Sequence, residues 1–181
     1  MHVRSAESRE GAGMSVSYRV RFAGGFWKAR FFSKYLAVEG EGRQLMYTVS
    51  RRIWRTVREI RDRDDGFVAQ LAPRWWTANQ IVVKDAKGAE LDKVFVTGAT
   101  MPSFLLRHQD KEPMAYTLEH AGGAGWNVTW RFTRGGNVVG EVKMHSLKRG
   151  EMDIAVADAR DLLPALILSL SCDIYRFLRR R

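Results

Sequence analysis

The last segment of the chain constrains the fold more than any other. Residues 162–178 read LLPALILSLSCDIYRFL, and apolar side chains would surround a helix of this sequence on all sides. A helix that is apolar all round is a buried helix. Asp161 suits the N-cap position, and proline at 164 is tolerated in the first helical turn. The sequence therefore predicts a helix over about 162–178 that the rest of the chain encloses.

A membrane anchor is the alternative interpretation of this segment. The uncharged run from Leu162 to Cys172 has 11 residues, whereas a helix needs about 20 to cross a bilayer. Asp173 and Arg176 stand three residues apart, so they could form an ion pair, and both would be costly in lipid. Enclosure by protein is the better explanation, with Asp173 paired most simply to Arg176, or else reaching solvent at the mouth of the barrel.

From residue 44 onward, apolar and polar residues alternate between short polar turns. The turns centre on Gly66, Gly88, Lys111 and Gly135, and each lies between two strand-like runs. This is the pattern of β-hairpins, in which glycine supplies the positive φ and aspartate or asparagine bonds the backbone. A single hairpin cannot bury its apolar face, so the hairpins must share one core. Ten to twelve strands account for the pattern.

These two features together predict an architecture. A helix about 10 Å across does not fit inside an eight-stranded barrel, whose own side chains fill it, but an eleven-stranded barrel around a helix has precedent. We therefore expect a mainly β fold, a large closed antiparallel barrel of about 12 strands around the C-terminal helix. Residues 16–181 form one domain in this interpretation. Residues 1–15 form a flexible leader, because they carry both charge signs and lack the apolar stretch of a secretory signal.

Two segments are open to more than one interpretation. Between Ser50 and Ile60 the apolar residues fit a helical stripe with a serine cap, but β-branched residues and the Asp-Gly turn that follows favour two strands. The choice matters because six arginines lie between Arg51 and Arg63. The second segment, Gly122-Gly123-Ala124-Gly125, is interpreted as a flexible connection between strands.

The order of features resembles the tubby-C-terminal-like superfamily, in particular its LURP-one-related and phospholipid-scramblase branch. The resemblance rests on repeated hairpins such as Ile60 to Val68 and Ile81 to Gly88, and on the close from Asp153 through Asp161 to the Cys172-Asp173-Ile174-Tyr175 run. It implies a twelve-stranded barrel around a hydrophobic helix. Members of the superfamily bind phosphoinositides or are linked to calcium and lipid movement. The chain departs from the palmitoylation pattern of scramblases, because it has a single cysteine. It also departs from a calcium-loop pattern, because Asp153, Asp158 and Asp161 are widely spaced.

The sequence offers little chemistry for catalysis. It has no nucleophile-elbow, phosphate-loop or dinucleotide motif, and its four histidines lack metal-ligand spacing. Cys172 lies inside the apolar helix, where a thiol is an inert core group. We expect no catalytic residue, no metal and no cofactor, and interpret the protein as a binding module. An enzyme whose site assembles from distant residues stays open as an alternative.

The net charge of +10 is unevenly distributed along the chain. Residues 1–63 contain 14 Lys and Arg against 6 Asp and Glu, whereas residues 64–181 contain 16 against 14. A basic excess of this kind attracts anionic partners, although it also serves solubility alone. Arginine interleaved with tryptophan suits a membrane interface or a single-stranded nucleic acid.

The candidate lipid- or anion-binding site is therefore the arginine-rich face formed by Arg51, Arg52, Trp54, Arg55 and Arg58. The expected partner is an anionic membrane surface or a membrane-associated protein, with nucleic acid as the alternative. We expect a monomer in the cytoplasm, located peripherally at the inner face of the membrane. Strict strand alternation would turn Arg55 inward, so this site requires a turn or bulge near that residue.

Overall fold

The computed structural model describes residues 15–22, 33–52, 56–74, 79–98, 101–108, 115–124, 127–146 and 151–179. For residues 22, 33–35, 51, 52, 108, 124 and 146 it describes the backbone alone. All structural statements below refer to these residues.

The chain forms a closed antiparallel barrel of twelve strands. The strands are β1 (Val16–Phe22), β2 (Ser33–Glu39), β3 (Leu45–Arg52), β4 (Arg58–Asp62), β5 (Phe67–Pro73), β6 (Gln80–Lys84), β7 (Glu90–Thr97), β8 (Ser103–His108), β9 (Tyr116–Ala124), β10 (Asn127–Arg134), β11 (Asn137–Ser146) and β12 (Glu151–Val156). Each strand pairs with its sequence neighbours, and β1 closes the barrel by pairing with β12, for example Tyr18 opposite Ile154. The predicted architecture is confirmed.

Two of the predicted hairpin turns use the same backbone chemistry. Oδ1 of Asp62 accepts hydrogen bonds from the backbone N–H groups of Asp64 and Gly66, and Oδ1 of Asp85 does the same for Lys87 and Ala89. Gly88 has the expected positive φ of 84°, but in the first turn the positive φ of 63° falls on Asp65. Gly66 is required there for a different reason, because a Cβ would lie 2.7 Å from Oδ2 of Asp62.

Helix α1 (Leu162–Leu178) runs through the barrel, with the bounds that the sequence predicts. Its 17 residues give a length of about 25 Å. All eight residues from 165 to 172 are buried, so every side of the helix faces protein. The inward residues of the strands form the other half of the core, and the largest of them are Trp130, Phe104, Phe132, Ile60, Leu71, Ile81, Leu106, Leu118 and Ile154. The enclosed-helix interpretation is confirmed.

The helix gives the barrel two distinct ends. Its first residue follows β12 and a 3-10 turn (Ala159–Asp161) at the end that we call the Asp161 end. The helix finishes at the opposite end, the Arg176 end, after which Arg179 is the last described residue. The strands alternate in direction, so successive connections lie at alternate ends of the barrel. Those at the Arg176 end are β1–β2, β3–β4, β5–β6, β7–β8, β9–β10 and β11–β12.

The segment between Ser50 and Ile60 belongs to two strands, as the sequence favours. β3 ends at Arg52 and β4 begins at Arg58, with Arg51 and Arg58 opposite each other in the register. The strands therefore turn between these residues, at the Arg176 end of the barrel. This is the turn that the predicted arginine site requires near Arg55.

Most of the glycine-rich segment belongs to a strand, so the prediction is wrong for Gly122, Gly123 and Ala124, while Gly125 lies outside the described residues. Gly122 and Gly123 lie inside β9, where the register with β10 shifts between Thr129 and Trp130. Gly123 has a φ of 85°, and a Cβ there would overlap the carbonyl oxygen of Asn127. Glycine is needed because the backbone of β10 approaches closely at this bulge.

Candidate functional site

Arg58, the first residue of β4, lies inside the mouth of the barrel at the Arg176 end. Its side chain is only 1% exposed, and its Nη2 donates to Oδ2 of Asp173 on the helix at 2.7 Å. Nη1 also donates to the carbonyl oxygen of Val57 at 3.3 Å. Strand alternation explains this position, since Arg58 and the buried Ile60 stand two residues apart and share the inward face of β4.

This arrangement corrects two predictions. Arg58 is not available on an outer basic face, because its guanidinium is buried and bound to a carboxylate. The ion pair of Asp173 is formed with Arg58 on β4, and not with Arg176 on the same helix. A contact between residues 115 positions apart could not be predicted from local spacing.

The other predicted site residues cannot be placed in the same detail. Arg51 and Arg52 occupy the end of β3 at the Arg176 end, where the backbone alone is described. Trp54 and Arg55 lie outside the described residues. The backbone of Arg51 and Arg52 therefore lies at the end of the barrel at which Arg58 meets the helix.

Arg176 forms a second cluster in the same mouth. Its guanidinium carbon lies over the indole ring of Trp130, 5.4 Å from the ring centroid, and its Nη1 is 4.0 Å from the sulfur of Met144. The ring of His120 meets the ring of Trp130 edge to face with centroids 5.6 Å apart. Trp130 is 1% exposed, and its indole N–H has no acceptor among the described protein atoms.

Arg176 differs from the other arginines that the barrel partly or fully buries. Among the described residues these are Arg21, Arg58, Arg61, Arg74, Arg134 and Arg176. The first five each pair with a carboxylate, on Glu39, Asp173, Glu59, Glu90 and Asp161 respectively. Arg176 pairs with none in the described part of the chain. The sequence offered no signal for this difference, because it depends on which carboxylates the fold brings within reach.

At the Asp161 end, the mouth of the barrel contains a buried carboxylate that is paired with an arginine. Asp161 is completely buried, and its Oδ1 accepts from Nη1 of Arg134 at 3.0 Å and from the hydroxyl of Tyr116 at 3.4 Å. It occupies the N-cap position as predicted, but its side chain makes no capping hydrogen bond. A carboxylate here is favourable all the same, because the N-terminus of a helix carries partial positive charge.

The segments that join the strands differ sharply in composition between the two ends. At the Arg176 end they are residues 23–32, 53–57, 74–79, 98–102, 125–126 and 147–150, with 179–181 after the helix. In the sequence these segments contain nine cationic residues, namely Lys28, Arg30, Arg55, Arg74, Lys148, Arg149, Arg179, Arg180 and Arg181. They contain no Asp or Glu, and they include five of the six tryptophans, at positions 27, 54, 75, 76 and 126.

The segments at the Asp161 end are acidic and lack aromatic residues. They are residues 40–44, 63–66, 85–89, 109–115, 135–136 and 157–161. In the sequence they contain eight acidic residues, namely Glu41, Asp64, Asp65, Asp85, Asp110, Glu112, Asp158 and Asp161, against the five cations Arg43, Arg63, Lys87, Lys111 and Arg160. Counted on the sequence, the two sets of connecting segments therefore carry net charges of +9 and −3.

A groove of about 470 Å³ crosses the outer face of β1, β2, β11 and β12. Its charged side chains largely neutralise each other. Asp153 accepts from Nε of Arg19 at 3.2 Å and contacts Nε2 of His145 at 2.6 Å, while Lys143 pairs with Glu141 at 2.9 Å. The paired charges make this groove a weaker candidate for ligand binding than the Arg176 end.

Cys172 is buried in the helix, as predicted for a core thiol. Burial raises the pKa of this thiol to about 12, so the reactive thiolate is disfavoured. The described residues contain no group of three or more histidine, cysteine, aspartate or glutamate side chains placed to hold a metal ion. No helix in the described ranges has the length and apolarity needed to cross a membrane.

Comparisons with protein-family models, with curated proteins and with solved structures gave no match. The resemblance to the tubby-C-terminal-like superfamily therefore stays a prediction from the sequence. The candidate site is defined by the physical properties of the Arg176 end.

Proposed function

We propose that the protein is a non-catalytic binding module that docks on anionic phospholipid through the Arg176 end of the barrel. The observation that supports this is the separation of residue types between the two ends. One end combines nine cations, five tryptophans and no acidic residue in its connecting segments, and the other has an acidic excess and no aromatic residue. A solubility role alone does not require the charges to be sorted along the barrel axis.

The composition of the Arg176 end matches the chemistry of a membrane surface. Lysine and arginine are attracted to the negative headgroups of the cytoplasmic leaflet, by about 1 kcal/mol each within a Debye length of about 8 Å. Arg74 is already paired with Glu90, and the other eight residues at this energy correspond to about −8 kcal/mol, an affinity in the micromolar range. Tryptophan prefers the headgroup level of a bilayer, where its ring is amphipathic. Of the predicted site, Arg51, Arg52, Trp54 and Arg55 are retained in this proposal and Arg58 is excluded.

The barrel supplies a rigid support for such a surface. The proposed location is the cytoplasm, with peripheral attachment to the inner face of the membrane, and no cofactor takes part. A membrane-associated protein with an acidic face is the alternative partner, and nucleic acid would use the same charges. Neither alternative accounts for the tryptophans together with the cations as directly as a membrane interface does, and the recognised sequence motifs of nucleic-acid readers are absent.

The test compares two variants that remove the same charge from opposite ends. The first changes Arg51, Arg52 and Arg55 to serine, and the matched control changes the exposed Arg43, Arg63 and Lys87 to serine. Co-sedimentation is measured with vesicles of phosphatidylcholine alone and of phosphatidylserine mixed with phosphatidylcholine, at low and physiological salt. We expect the parent and the control to bind the anionic vesicles and the first variant to bind at least tenfold more weakly.

Circular dichroism and thermal unfolding establish that both variants remain folded. Absence of binding by the parent protein to anionic vesicles would refute the proposal. Equal losses in both variants would show that only the net charge matters, not the end of the barrel. Preferential binding of single-stranded oligonucleotides over vesicles would assign the surface to nucleic acid instead.

A further inference from the structure

The mouth of the barrel at the Arg176 end contains hydrogen-bond donors that have no oxygen acceptor within the described part of the chain. Arg176 contacts the ring of Trp130 and the sulfur of Met144, both of which are apolar or weakly polar partners. The indole N–H of Trp130 also has no acceptor among the described protein atoms. Since five other partly or fully buried arginines of the described chain each have a carboxylate, this cluster is an exception within the same molecule.

A partly desolvated cation without a counter-charge is costly for a folded protein. The C-terminus of the helix, with its partial negative charge, offsets part of this cost. It does not satisfy the guanidinium N–H groups, which form a planar fork suited to two oxygens of one anion. The chemistry that the cluster lacks is a compact group with acceptor oxygens and negative charge.

We propose that Arg176 receives one phosphate group of an anionic lipid headgroup in the mouth of the barrel, with Trp130 as the apolar wall of the site. This rests on the proposed function, because the headgroup is delivered when the Arg176 end docks on the membrane. Arg58 does not compete for the phosphate, since it is bound to Asp173. The remaining cations of this end attract the surface, and Arg176 engages a single headgroup.

The first experiment pairs Arg176→Met with Arg43→Met. Methionine keeps much of the length of the side chain over Trp130 but removes the charge, and Arg43 is an exposed arginine at the opposite end of the barrel. Because charge-assisted hydrogen bonds to a phosphate are strong, we expect Arg176→Met to weaken binding to phosphatidylserine-containing vesicles by about tenfold or more relative to Arg43→Met. We also expect its melting temperature to equal or exceed that of the parent, because an unpaired, partly buried charge has been removed.

A purely structural arginine would behave in the opposite way. In that case Arg176→Met would lower the melting temperature and bind anionic vesicles as tightly as Arg43→Met, which would overturn the inference and leave the proposed function intact. Absence of vesicle binding by the parent protein would instead refute the proposed function.

A second measurement uses the parent protein and does not depend on how the variants fold. The Nε–Hε signal of Arg176 is assigned in the parent protein by through-bond NMR correlations, and glycerol 3-phosphate or inorganic phosphate is then added at constant ionic strength. We expect this signal to shift in a saturable way, and more than it does with chloride. A shift without vesicle binding would assign the site to a free phosphate compound. The absence of any shift would overturn the inference.

Discussion

At the scale of single residues, the pair formed by Arg58 and Asp173 connects the helix to the wall of the barrel. Arg58 is almost fully buried and joins the start of β4 to the last turns of the helix. Buried ion pairs are not strongly stabilising relative to apolar residues, but the loss of one partner leaves a charge in a poorly solvated site. The pair therefore fixes where the helix stops inside the barrel.

We predict that Asp173→Ala destabilises the protein by about 3 kcal/mol, since it removes the carboxylate that Arg58 binds. The matched control is Asp64→Ala, because Asp64 pairs with Arg63 and both side chains of that pair are exposed. Surface pairs contribute at most about 1 kcal/mol. Urea unfolding of both variants checks this, and equal midpoints would show that the buried pair does not hold the helix.

A second residue-scale prediction concerns pH. Burial raises the pKa of Asp153, but hydrogen bonds from His145 and Arg19, together with their charges, outweigh burial and place the pKa below its ordinary value of 3.8. Because the pKa is lower in the folded state, the ionised Asp153 stabilises the fold at pH values above its ordinary pKa. This contribution is lost as the pH falls towards the pKa of the folded state. Because the side chain is 38% exposed, the effect on stability is small. An NMR titration of the Asp153 carboxyl should show a midpoint below 3.8, which rises in His145→Gln.

At the scale of elements, the helix and the hairpins could be predicted because each depends on local pattern. Residues 162–178 are apolar on every side, and the alternation from residue 44 onward fixes which strand residues face inward. The role of Gly123 could not be predicted in this way, because it depends on the close approach of Asn127 in the neighbouring strand. The partner of Asp173 was mispredicted for the same reason.

The enclosed helix leads to a test of packing. Leu166 in the helix is completely buried, whereas Leu91 on β7 is 42% exposed. Leu166→Ala should cost about 3 kcal/mol, because the surrounding barrel cannot collapse into the space that is left, and Leu91→Ala should cost less than about 1 kcal/mol. Denaturant unfolding measures both values. Similar costs would mean that the core around the helix is loosely packed.

At the scale of the whole molecule, the candidate site could be predicted only in part. The sequence shows a basic excess in residues 1–63, but that interval contains connections from both ends of the barrel. Charge and tryptophan content differ between the connections at one end of the barrel and those at the other, and the two kinds alternate along the chain. This difference becomes visible only once the twelve strands and their antiparallel order are known. The connections 53–57 and 147–150, which carry Arg55, Lys148 and Arg149 in the sequence, fall in the same alternate set despite their distance along the chain.

The difference in charge between the two sets of connecting segments has a kinetic consequence for the proposed docking. A body that is positive at one end and negative at the other experiences a torque near a charged surface, so it rotates before it touches that surface. Collisions with an anionic bilayer would then occur mostly with the Arg176 end leading, and a larger share of encounters would be productive. Added salt should therefore slow association more than it speeds release of the bound protein, because the torque acts at a distance and the final contacts do not.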